Sequence, residues 1–183
     1  ISDTEGEGEN RKFDAAFTFL PGEKLELKGI TYTITGCALK ADSESSTDKW
    51  REYSLYHKLY GFAFLTEAEG HWMLMKETLE TPPLAHVHAE MFTWKDKQFY
   101  LFNKSRFRIQ QVMGAFPGNV FDSAQDTQVS DFIGPPEIWS VEEHNKGFTW
   151  YHGEYIDKKE IARQTNRRLP AKRGIGPAEP QGN

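Results

Sequence analysis

His86, His88 and Glu90 fall at alternate positions in a run that reads as one strand, Leu84 to Trp94. Alternate residues on a strand share a face and stand about 7 Å apart. Two imidazoles at that spacing suit one divalent metal ion, with the carboxylate as a third ligand. The plainer reading is a polar strand face in contact with water. A second set is Glu142, Glu143 and Glu154, with Trp139 and Trp150 nearby. Paired carboxylates beside aromatic rings suit sugar chemistry, where burial raises the pKa of one acid. A polar turn between two strands is equally an ordinary place for glutamates. Nucleophile and cofactor signatures are missing. Ser105 and Ser140 lack the glycines of an elbow, Cys37 has no evident base, and no phosphate loop or dinucleotide fingerprint occurs. No cofactor is expected, a divalent metal on His86, His88 and Glu90 being the exception.

The elements that must position these residues are short strands. Gly134 to Ile156 reads as strand, turn and strand. Ile138, Trp139 and Val141 precede the polar turn Glu142–Gly147, and Phe148, Trp150 and Tyr151 open the next strand. Upstream, Leu25 and Leu27 alternate, the phase slips at Lys28-Gly29, and Ile30, Tyr32 and Ile34 alternate again, which predicts a strand pair bent at Gly29. Trp50–Tyr56, Gly61–Leu65 and His71–Met75 are joined by loops too short for crossovers, so an antiparallel meander follows. Phe99–Phe102, Arg106–Val112 and Val129–Ile133 read as further strands. Asp157 is placed to cap a helix over Lys158–Thr165. The fold class is all-β or β-dominated: about ten short, mainly antiparallel strands in a sandwich or open barrel, with one short C-terminal helix.

A chain of 183 residues with 14% aromatics can build one sizeable core even at 38% hydrophobic residues. The divisions expected are a flexible acidic segment over 1–12, a single β-rich domain over 13–166, and an extended basic, Pro/Gly-rich tail over 167–183. A net charge of −5 argues against a nucleic-acid partner. One cysteine excludes an internal disulfide and favours a reducing compartment. The start at Ile1 and the two polar ends fit a piece of a longer chain. The cluster Arg163, Arg167, Arg168, Lys172 and Arg173 would hold this side at the cytoplasmic face if a membrane helix followed it; otherwise it is a solubilising helix end. Membrane contact is thus expected only through a segment of the parent protein outside this sequence.

With these runs laid out, the chain resembles the uncharacterised bacterial family DUF4178. The resemblance rests on GITYTITG (Gly29–Gly36), WREYSL (Trp50–Leu55), GHWML (Gly70–Leu74), and Pro136–Ile156 with its SVEE and GEYI. It spans most of Leu25 to Ile156. The tail Leu169–Pro180 is also similar to the segment that precedes membrane helices in some members. Two departures stand out: Met113–Gly118 lacks the acid and tryptophan expected around it, and the histidine pair is not a family feature. The resemblance implies a β-rich domain, often joined to membrane segments or other modules. It brings no activity and no catalytic residues.

The expectation is therefore a non-enzymatic binding or scaffold module whose partner is a protein or another domain of the parent chain. Its candidate surface is Trp139, Glu142, Trp150, Tyr151 and Glu154. The alternative is a metal-dependent enzyme on His86, His88 and Glu90, or a carboxylate-based one on Glu142 and Glu154.

Overall fold

Lys28 and Gly29 both take positive φ, 51° and 78°, and turn β1 (Lys24–Leu27) back onto β2 (Ile30–Asp42). The alternation seen in the sequence is the reason. Leu25, Leu27, Tyr32 and Ile34 all point to one buried face, and a shift by one residue would expose all four. The computed structural model describes residues 17–45, 47–82, 88–118, 127–144 and 147–181. The segment 1–12 and His86 lie outside them.

The meander follows as read, with β3 (Lys49–His57), β4 (Gly61–Ala68) and β5 (His71–Glu77). After β6 (Met91–Trp94) the chain runs into β7 (Lys97–Gly114), one 18-residue strand where the sequence reads as two. The apolar periodicity breaks at Asn103–Ser105, but the backbone ladder to the next strand continues through it with a bulge between Leu101 and Asn103. Then come β8 (Thr127–Gly134), β9 (Glu137–His144) and β10 (Gly147–Ile156). Glu142 and Glu143 belong to β9 and not to the turn, because their partners Thr149 and Phe148 extend the ladder that far. Helix α1 is confined to Lys158–Ala162, with the Asp157 carboxylate accepting from the Lys159 N–H at 2.9 Å and Ile161 buried.

The strands pair in the order β1-β2-β3-β4-β5-β10-β9-β8-β7-β6, and the second half of β2 also pairs with β7. That extra pairing closes an antiparallel barrel of eight strands, β2 to β5 and β7 to β10, with β1 and β6 as additions. The fold is thus β-dominated with ten strands and one short helix, and the barrel is closed instead of open. Its outer surface is covered in two places. Phe17, Phe19, β1 and Ile161 cover Tyr53, Leu65 and Trp72 on one side. Phe92 and Phe99 cover Phe132, Trp139 and Trp150 on the other. A third cluster, Met73, Met75, Ile138 and Tyr155, faces the barrel interior.

Candidate functional site

Residues that pair across neighbouring strands share a face, so the register identifies what points inward. Asn103, Asp131, Ser140, Tyr151 and Glu77 stand opposite one another in turn across β7, β8, β9, β10 and β5. Ala38, Glu52, Thr66, Met73 and Tyr155 form the matching row across β2, β3, β4, β5 and β10. Between these rows lies a cavity of about 170 Å³ to which all eight barrel strands contribute. Its apolar wall includes Trp50, Met73, Met75, Phe107 and Ile138; its polar groups include Lys40, Glu52, Asp131, Ser140, Glu142 and Tyr151. Barrels of eight strands have room for packed side chains or one small ligand. This one keeps the room.

The polar groups are not equivalent. Lys40 is 7% exposed, and its ammonium bonds Glu52 and lies 4.5 Å from the centre of the Phe107 ring. Burial alone would favour the neutral amine, but the Glu52 and Glu142 carboxylates outweigh it and hold Lys40 charged. Asp131 is pushed up to about 6 by burial, against the pull of the Ser140 hydroxyl, which donates to its carboxylate. Burial pushes Glu142 up to about 7, opposed by Lys40 and reinforced by Glu52, Asp131 and Glu77. Burial raises the Tyr151 hydroxyl as well, and the charges of Glu142, Glu52 and Glu77 add to that shift. Asp131 and Glu142 keep some accessible surface because they face the cavity.

The C-terminal tail closes one end of the barrel. Pro177 lines the cavity and Ala178 is fully buried. The fastening is His71, at the inward-facing start of β5. Its Nδ1 lies 2.8 Å from the Tyr155 hydroxyl and 3.5 Å from the Glu179 carboxylate, and its Nε2 lies 3.0 Å from the Arg173 carbonyl. A ring nitrogen facing a carbonyl must carry a proton, so Nε2 is the donor. Two of the five basic tail residues also pair within the chain, Arg167 with Glu23 at 2.7 Å and Lys172 with Glu179 at 2.9 Å.

The residues singled out from the sequence separate accordingly. Trp139 and Trp150, expected on a binding surface, are 1% and 3% exposed. They sit on the outer face of β9 and β10, where the β6–β7 hairpin folds Phe92 over them. Glu142 and Tyr151 turn inward and line the cavity. Glu154 turns outward, 3.9 Å from Lys28, so Glu142 and Glu154 lie on opposite faces and do not form a carboxylate pair. His88 and Glu90 precede β6 instead of lying on a strand; both side chains are exposed, and Glu90 contributes a carbonyl to the Leu101 N–H at 2.8 Å. Among the described residues no three His, Cys, Asp or Glu side chains converge as metal ligands. An outer groove beside Trp94 and Trp139 has its charges matched internally, Lys95 with Glu80 at 3.0 Å and Lys97 with Glu137 at 3.3 Å.

Lys40, Glu52 and Asp131 escape a reading of the sequence alone. The available signal is Lys40 itself, one lysine inside the apolar run Cys37–Ala41. Exposed aromatics gather at the β3–β4 turn, where Tyr56 and Phe62 have ring centres 4.9 Å apart. No helix among the described residues is long and apolar enough to cross a membrane.

Fold and cavity together define a closed antiparallel barrel with a polar, partly charged interior. The chain belongs to the family described as Domain of unknown function (DUF4178), whose pattern matches residues 20–158. That span runs from the turn before β1 to the start of α1 and includes every strand. No curated protein and no solved structure matches the chain.

Proposed function

We propose that this domain is a non-enzymatic binding module that takes a small molecule into the barrel. The observation that carries the reading is the cavity itself: about 170 Å³ kept open between eight strands and lined by both aromatic rings and ionisable groups. Protein interiors are ordinarily packed without such gaps, and unfilled space costs stability. Drug-sized ligands need roughly 300 Å³ or more, so the occupant is smaller, on the scale of a simple metabolite. The module would report or relay that binding to a protein partner or to another domain of a parent chain.

A ligand that binds only the folded state raises its stability, by about 2.7 kcal/mol at a hundred times Kd. Thermal unfolding against a panel of small amines, alcohols and carboxylic acids is the test. At least one class should raise the melting temperature of the native chain, and Val129→Phe, which fills the cavity, should abolish the shift. If no class shifts the native protein, or the filled variant responds equally, the cavity is not a binding site.

A carboxylate-based enzyme is the second reading, supported by Glu142, whose pKa of about 7 suits a general acid or base. Its partner would be Asp131, not Glu154. Mass spectrometry of the recovered molecule separates the two: a binding module returns it unchanged.

A further inference from the structure

We infer that the cavity takes a small organic cation, an ammonium group carrying a short apolar tail. This deepens the binding-module reading and rests on it.

Three carboxylates line the cavity, Glu52, Asp131 and Glu142, against one basic side chain, Lys40. Lys40 is engaged with Glu52. Asp131 stands opposite Ser140 and Val129 opposite Glu142, so Asp131 and Glu142 are diagonal neighbours on adjacent strands, roughly 7 Å apart at the backbone. A single positive charge between them can reach both. Asp131 accepts one hydroxyl bond from Ser140, whereas the Glu142 carboxylate has no hydrogen-bond partner among the described residues. A partly desolvated carboxylate with no protein donor gains from a ligand that brings one.

The rest of the wall suits an ammonium better than a neutral donor. Trp50, Phe107 and Tyr151 present aromatic rings to the same space. Cations are attracted to such faces, more strongly where water is excluded. The barrel already holds one cation in this way, since the Lys40 ammonium lies over Phe107 and against Glu52. Asp131, Glu142 and Tyr151 offer a similar combination, in which Lys40 offsets part of the Glu142 charge while its ammonium is bonded to Glu52. Met73, Met75 and Ile138 supply the surface for an apolar tail.

Binding should be linked to protons. The charged and titratable groups facing Glu142 are Lys40 from β2, Glu52 from β3, Glu77 from β5, Asp131 from β8 and Tyr151 from β10. Around pH 6.5 Asp131 and Glu142 are part-protonated, and an incoming cation favours their ionised forms. Protons leave as it enters. Affinity therefore rises with pH up to about 8 and then levels off.

The experiment is calorimetric titration of the full chain with n-butylammonium, tetramethylammonium, 1-butanol and butyrate. Each is run at pH 6.5 in two buffers of different ionisation enthalpy, and again at pH 8.5. An ammonium probe should bind at least tenfold more tightly than butanol, butyrate should not bind, and protons should be released at pH 6.5 but not at pH 8.5. Glu142→Gln should lose at least tenfold of the ammonium affinity. Should that variant fail to fold, proton release by the native protein still decides. Equal binding of butanol and butylammonium, or preference for butyrate, overturns the cation and leaves the binding module standing. Absence of binding by every probe, with no thermal shift in the wider panel, overturns both.

Discussion

Gly36 on β2 lies directly opposite Gly114 on β7, and the barrel closes through that pair. A β-carbon on Gly36 would stand 2.5 Å from the Ala115 carbonyl oxygen, and one on Gly114 would stand 2.4 Å from that of Thr35. Both obstacles are backbone and cannot rotate away. Gly114 also holds φ at 75°, where an L side chain is strained. Gly36→Ala should cost about 3 kcal/mol, the upper end for overpacking, and Gly114→Ala at least as much. Urea unfolding measures the loss, and hydrogen exchange should show it concentrated along β2 and β7. A change below about 0.5 kcal/mol in both variants would mean that the seam is not tight.

Removing the ammonium of Lys40 leaves Glu52 and Glu142 facing each other in the interior without a counter-charge. Breaking one side of a buried ion pair commonly costs about 3–5 kcal/mol, while replacing both partners with apolar groups is often close to neutral. Lys40→Met is therefore expected to destabilise by about 3 kcal/mol, and Lys40→Met with Glu52→Leu by clearly less. Denaturation midpoints of the two variants at pH 8 decide the matter. A double variant that is worse than the single one contradicts the pairing.

Glu142 and Asp131 make the fold sensitive to pH in an unusual direction. Their pKa values of about 7 and about 6 lie above those of an unfolded chain, near 4. The folded protein thus holds more protons than the unfolded one between about pH 4 and 7. Stability must fall as pH rises through that window and flatten above it. Glu137 and Glu179, held below the usual carboxylate range, act in the opposite sense but only at lower pH. Glu142→Gln should be more stable than the native chain at pH 8 by about 1–3 kcal/mol, because a tenfold change in proton affinity is worth roughly 1.4 kcal/mol. At pH 4 it should be no more stable. Unfolding free energies at pH 4, 6 and 8 test this; a native protein that gains stability between pH 6 and 8 excludes it.

The same residues explain what can and cannot be read from the sequence. Alternation locates β1 and β2 because Leu25, Leu27, Tyr32 and Ile34 face one covered side, and the short loops locate β3 to β5. The rule that apolar residues face the core then misleads for β9 and β10. Trp139 and Trp150 are buried on the outside of the barrel, under Phe92, while Ser140 and Glu142 point to its interior. A strand with a covered outer face and a polar inner one carries the ordinary alternation with its meaning reversed. Closure is not legible either. It depends on the pairing of Gly36–Asp42 with Phe107–Gly114, and nothing in either stretch names the other. His88 and Glu90 read as strand residues because the run looks continuous, yet the ladder begins only at Met91.

His71 fastens the tail, and its removal should free the tail without unfolding the barrel. The ring occupies the space beside Gly176, where an added β-carbon would stand 2.5 Å away, and it bonds the carbonyls of Arg173 and Gly174 at 3.0 and 3.2 Å. His71→Ala removes those acceptors' partner and opens a gap beside Gly176. The barrel strands are held by their own ladders, so the global loss should stay near about 2 kcal/mol, within the range for losing a buried hydrogen-bonded side chain. The local effect should be larger. Lys172 and Arg173 would become trypsin sites, because cleavage follows the population of locally open chain. Limited trypsinolysis with mass analysis should show early cuts after Lys172 or Arg173 in the variant and protection in the native chain. Because Pro177 lines the cavity, the loosened tail should also open that end of the barrel to solvent. Equal cleavage rates in the two proteins would show that the tail is held by the Arg173 N–H on the Glu69 carbonyl and by Lys158 on the Pro170 carbonyl, and not by His71.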